Sequence, residues 1–170
     1  MAIICTLAGL LFPVLVSGPI AARKAVARAA GVNLVIALEQ FKNEYGVYPD
    51  LGTSNADTFV AADNHRLLDI LRGKETGPNV QNPRKISFFT YKNAKDSWST
   101  KRDGFDSDGN LMDPWGHQYK IKYDTNYDNR LMAYGEDLDL GAIAWSVGHD
   151  GVEVVNYTQF SKGDDVVTWR

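Results

Sequence analysis

The sequence is poor in the groups that carry catalysis or cross-linking. It holds one cysteine, Cys5, so a disulfide framework and a thiolate metal site are both excluded. Its three histidines, His65, His117 and His149, show no metal-ligand spacing and are expected in surface or capping roles. No nucleophile elbow, phosphate-binding loop or dinucleotide fingerprint is present, so an enzyme is not expected. Glu39 and Glu44 are too far apart in angle on a helix to act as a pair and are expected on a solvated face. With 18 basic against 21 acidic residues there is no cationic stripe for a phosphate backbone, and nucleic acid is excluded as a partner.

The most informative absence is charge at the start. Met1 to Ala22 contain no charged side chain, and Arg23, Lys24 and Arg28 follow at once. As a helix the run would extend roughly 33 Å, enough to cross a hydrocarbon core. Leu34, Leu38, Phe41 and Tyr45 then continue one apolar helical face. A cleaved signal peptide, a single-span anchor and a polymerising tail all fit such a run. Cys5 within it reads as a small packing residue or a lipidation point.

At 170 residues the chain accommodates one globular domain behind this helix, giving a division into residues 1–45 and 46–170. Gly46 and Pro49 end the helix. Residues 51–63 read as a loop. Asp63 or Asn64 caps a short helix carrying Leu67, Leu68, Ile70 and Leu71, closed by Gly73. Ile86–Tyr91 reads as a first strand. Asp113-Pro114-Trp115-Gly116 has type I turn chemistry, and Tyr119, Ile121 and Tyr123 alternate with lysines as a half-buried strand. Ala142–Val147 reads as an apolar strand, with further strands at Val152–Tyr157 and Val166–Trp169. The expected class is α+β, a long hydrophobic-to-amphipathic helix followed by a small domain with an antiparallel sheet. Trp115, Trp145 and Trp169 are expected in packing rather than as a carbohydrate platform.

Four landmarks together resemble the type IV pilin-like family, in particular the major pseudopilins of type II secretion. Ala2–Pro13 is similar to the middle of a pilin's hydrophobic tail, with its proline. Ala37–Pro49 resembles the family's helix-ending signature, Asp113–Tyr119 its turn-and-strand motif, and Ala144–Gly151 its late strand and following loop. In one respect the chain departs: no basic leader, glycine–phenylalanine cleavage point or fifth-position glutamate is present, either through an incorrectly chosen start or because the subunit lacks them. The resemblance implies a pilin-like fold and a structural subunit of a helical filament, serving secretion or a pilus-like surface fibre. Its partners would be copies of itself, the inner membrane before assembly, and the secretion or pilus assembly machinery. Its place would be the inner membrane as precursor, then a periplasmic or extracellular filament. Leu7, Leu10, Leu11, Phe12, Pro13, Val14 and Leu15 would lie in the filament core. The rival expectation is a membrane-tethered or secreted binding domain, for polysaccharide for example, that never polymerises.

The resemblance also implies calcium in the late loop, where Asp164, Asp165 and Asp150 supply carboxylates to an ion that wants six to eight oxygens. A second candidate rests on spacing alone. Asp124, Asn126 and Asp128 place oxygens at positions 1, 3 and 5 of an EF-hand-like loop, but the sixth residue is Asn129 and the twelfth Gly135, so a hairpin turn explains the run equally well. Asp106 and Asp108 are a weaker version of the same pattern.

Overall fold

A computed structural model describes residues 2–52, 57–97, 100–154 and 163–170, with side chains from Pro19 onward except those of residues 96–100. The chain is α+β. Helix α1, Ala2–Tyr45, is one 44-residue element. Leu7, Leu10, Leu11, Phe12, Pro13, Val14 and Leu15 lie on it, and their side chains fall outside the described residues. Among the described side chains the first buried one is Ala27; from there Ala30, Leu34, Ala37, Leu38 and Phe41 form one continuous buried stripe. Residues 19–23 stay exposed. Gly46 ends the helix at φ +79°, its N–H bonded to the Lys42 carbonyl 2.7 Å away. Among the described residues no helix is long and apolar enough to cross a membrane.

The stripe packs on a four-stranded antiparallel sheet formed by β1 (Thr58–Val60), β6 (Lys120–Tyr123), β9 (Ala142–Ser146) and β10 (Val166–Val167), in the order β1-β6-β9-β10. Between β1 and β6 in sequence lie α2 (His65–Leu71) and four short strands: β2 (Lys95–Ser97), β3 (Thr100–Arg102), β4 (Gly104–Phe105) and β5 (Leu111–Met112). These pair as two small hairpins, β2 with β3 and β4 with β5. β7 (Leu131–Ala133) and β8 (Glu136–Leu138) form another.

Alternation decides which face each residue serves. Val60, Ile121, Tyr123, Ala142 and Ala144 join the core under α1, with Leu67, Leu68, Ile70 and Leu71 of α2. Ile143, Trp145 and Val167 point the other way and are covered by Leu131, Ala133 and Leu138 of the β7–β8 hairpin and by Trp169. Covering on both faces is why β9 is buried at every position. Trp115 and Trp145 are buried and Trp169 packs beside Trp145, as expected of packing residues.

The structure corrects several local expectations. Ile86–Tyr91 forms no ladder; Phe88 and Phe89 instead donate their N–H groups to the Leu71 carbonyl, and Phe89 fills the core. The aromatic content reflected burial, not strand pairing. Conversely the stretch read as a loop contains β1, whose Thr58, Phe59 and Val60 pair with Tyr123, Lys122 and Ile121. Of Val152–Tyr157, residues 152–154 form no strand and the remainder lies outside the described residues. Asn64 precedes α2 as expected but makes no side-chain cap. Its amide donates to the Leu111 and Tyr119 carbonyls and accepts the Leu111 N–H, latching the helix to β5 and β6. Glu39 and Glu44 do not stand alone either: Glu39 accepts the Tyr48 hydroxyl, and Glu44 pairs with Arg84.

Candidate functional site

The Asp113 turn and the late loop are one assembly. Asp113 is fully buried. Its Oδ1 accepts the N–H groups of Trp115, Gly116 and His117 at 2.8, 2.7 and 2.9 Å, fixing the turn. Its Oδ2 accepts the Ser146 hydroxyl at 2.5 Å, and the Ser146 oxygen in turn accepts the Gly148 N–H at 3.1 Å. His117 Nδ1 lies 3.0 Å from the Gly148 carbonyl oxygen, a tie between turn and loop. Gly148 sits at φ +74°, and a Cβ there would lie 2.6 Å from the Asp164 carboxylate. Only glycine allows the carboxylate this close to the backbone.

Asp164 Oδ2 accepts the backbone N–H groups of His149 and Asp150. Asp165 is 8% exposed, and its Oδ2 accepts the Tyr134 hydroxyl at 2.6 Å and the Val154 N–H at 3.1 Å. Asp164 Oδ1 and Asp165 Oδ1 are buried and have no hydrogen-bond partner. Burial pushes the Asp165 carboxyl up from the ordinary carboxylate range, and the neighbouring charges of Asp164 and Asp150 push it further. Two bare oxygens on adjacent buried carboxylates are costly for a protein and suited to a hard cation. Asp150 is exposed, and its Oδ1 accepts the Val152 N–H at 2.8 Å. It neighbours the pair without completing a tight trio.

The second acidic loop is built differently. Asp124 is fully buried, and its oxygens accept the N–H groups of Asp128 and Asn129 at 3.3 and 2.8 Å. Asn126 turns to Asp128, donating from Nδ2 to Asp128 Oδ2 at 3.0 Å. Tyr127 and Asn129 both adopt positive φ, +60° and +58°. Asn129 thus supplies the left-handed conformation that glycine supplies at the sixth position of a calcium loop. The third carboxylate comes from elsewhere: Asp57, Asp124 and Asp128 form the one group of three acidic side chains among the described residues whose oxygens lie within 4.8 Å of one another. Sequence reading missed Asp57 because it belongs to the approach to β1, a strand read as loop. Lys122 Nζ sits 3.2 Å from Asp57 Oδ2 and supplies a positive charge where a cation would.

The histidines and the Asp106 turn are local. His65 Nδ1 lies 3.2 Å from Asn110 Oδ1 at the start of α2, and His149 is exposed. Asp106 Oδ1 accepts the N–H groups of Asp108 and Asn110, closing its own turn.

Comparison with models of protein families, with curated proteins and with solved structures found no match to this chain.

Proposed function

We propose that this chain is a structural subunit of the major pilin or pseudopilin kind, with a type IV pilin-like fold, polymerising through its hydrophobic helix into a helical filament. The observation that carries the reading is the division of α1. Its residues from Ala27 onward are seated on the sheet, while the exposed stretch from Pro19 leads back into eighteen residues with no charge. At 44 residues the helix is roughly 66 Å long. In this reading the uncharged first half of the helix is stabilised by lipid before assembly and by copies of itself afterwards. Contacts that do not close on themselves give an open helical polymer, of the kind used in type II secretion or a pilus-like surface fibre.

In the same reading the late loop holds calcium through Asp164 and Asp165, with Asp150 at its edge. The two unpartnered oxygens support this, and the ion would lock the loop against the Asp113 turn. Electron microscopy of sheared surface material, with peptide mapping, tests the polymer: filaments containing this chain are expected. Removing residues 1–25 takes away none of the described buried side chains and should yield a soluble monomer. A truncated protein that still polymerised would end the model.

A further inference from the structure

A cleft of about 310 Å³ opens on the face of the sheet opposite α1, between β1 and the β7–β8 hairpin. Trp145 forms its floor. Phe59 lies parallel to that indole, with ring centroids 5.6 Å apart and planes 6° apart, and Tyr134 meets it edge-on. Phe59 and Met132 are 47% and 58% exposed, so two large apolar side chains face water beside the same opening. Neither belongs to the late loop of Asp164 and Asp165.

The polar groups of the cleft are charged but balanced. Glu153 takes the Trp145 Nε1–H at 3.0 Å on one oxygen and Lys120 Nζ at 2.6 Å on the other. Asp57 is paired with Lys122, whose ammonium also donates to the Met132 carbonyl at 3.0 Å. Of three ammonium protons, Lys122 therefore keeps one without an acceptor among the described residues. Beyond Asp57, Asp124 and Asp128 direct their oxygens to backbone N–H groups of their own loop.

This combination selects the ligand. The Asp57–Lys122 and Glu153–Lys120 pairs leave the rim without net charge, with one spare proton on Lys122 and one buried Asp57 oxygen, Oδ1, lacking a partner. Neither a free cation nor a free anion therefore meets an uncompensated full charge, and a wholly apolar ligand would strand the rim. What fits is an uncharged molecule with one apolar face and a hydroxyl-bearing edge. We propose that the cleft binds a neutral hexopyranose unit, its C–H face on Phe59 and Met132 and its hydroxyls toward Lys122 and Glu153. The volume lies at the small end of ligand pockets, which suits one or two sugar rings. The site would operate whether or not the chain polymerises.

The test uses the full chain in a detergent without a sugar headgroup, following the Trp145 indole N–H resonance. The probes are methyl glycosides of glucose, galactose and N-acetylglucosamine, and tetrasaccharides of the same sugars. A saturable shift with a Kd in the millimolar range is expected for at least one. Phe59→Ala should weaken it about tenfold, as loss of one ring contact does, and Phe59→Trp should keep it. Met132→Ala, on the exposed edge of the hairpin, provides a second variant whose melting temperature should match the parent's while sugar binding falls. A tetrasaccharide binding more tightly than its monosaccharide would support a segment of polysaccharide as occupant; equal binding would support a terminal sugar. The inference is overturned if no sugar gives a saturable shift, or if neither variant changes the affinity.

Discussion

The two acidic loops have nearly the same composition and opposite hydrogen-bond accounts. Around Asp124 the carboxylates accept backbone N–H groups, and left-handed Tyr127 and Asn129 turn the chain so that it closes on itself. Around Asp164 and Asp165 each carboxylate has one oxygen satisfied and one left bare in a buried setting. The first loop commits its own carboxylates to its turn, with a single bare buried oxygen on the neighbouring Asp57; the second keeps two on adjacent residues. Counting acidic residues does not distinguish the two loops, whereas asking where each oxygen goes does.

Asp124→Ala should give the largest effect. It removes two bonds from a fully buried carboxylate to the backbone, and a loss of about 2–3 kcal/mol is expected, identical in calcium and in chelator. Denaturant titration measures it, and a loss appearing only with calcium would reverse the assignment of the two loops.

The late loop should respond in the opposite way. Calcium at a hundred times its Kd should stabilise the parent by about 2.7 kcal/mol and leave Asp165→Asn unchanged. The same variant should be no less stable than the parent in chelator, because it removes a buried charge while keeping an oxygen for Tyr134 and Val154. The pH dependence follows from the same burial. The folded Asp165 carboxyl is raised above its unfolded value, so the metal-free folded state binds more protons. Its stability should fall as pH rises from about 4 through the raised folded value, then level off. Denaturation midpoints in chelator should show that decline, and calcium or Asp165→Asn should flatten it. A parent whose stability rises with pH over this window would contradict the burial argument.

The smallest effect is expected at Asn129. Glycine there should be neutral or stabilising by about 0.5 kcal/mol, since φ +58° is strained for a side chain. The melting temperature reads it directly. If Asn129→Gly created calcium-dependent stability, the Asp124 loop would be a metal site short of one residue instead of a finished turn.

The long helix, its stop at Gly46, the Asp113 turn, and strands β6 and β9 were legible because each depends on local periodicity or turn chemistry. Alternation around Ile121 is a property of four consecutive residues. What was not legible depends on partners distant in the chain. β1 is three residues in polar surroundings and exists because β6 offers it a ladder. Ile86–Tyr91 has strand-like residues but no such partner. Asp164 and Asp165 could be named from a family pattern, yet the bare oxygens that distinguish them could not. Asp57 was missed because only β1 brings it to Asp124.

Gly31 carries one consequence into the life of the molecule. A Cβ at this point of α1 would come within 2.8 Å of the Thr168 side chain, so the helix seats closely against the segment just past β10. The Tyr119 hydroxyl also donates to the Ala27 carbonyl, 92 residues away in sequence. Helix docking therefore cannot finish during early synthesis. The segment made first must wait, held apart from its final neighbours, until the ribosome has released the residues around Thr168.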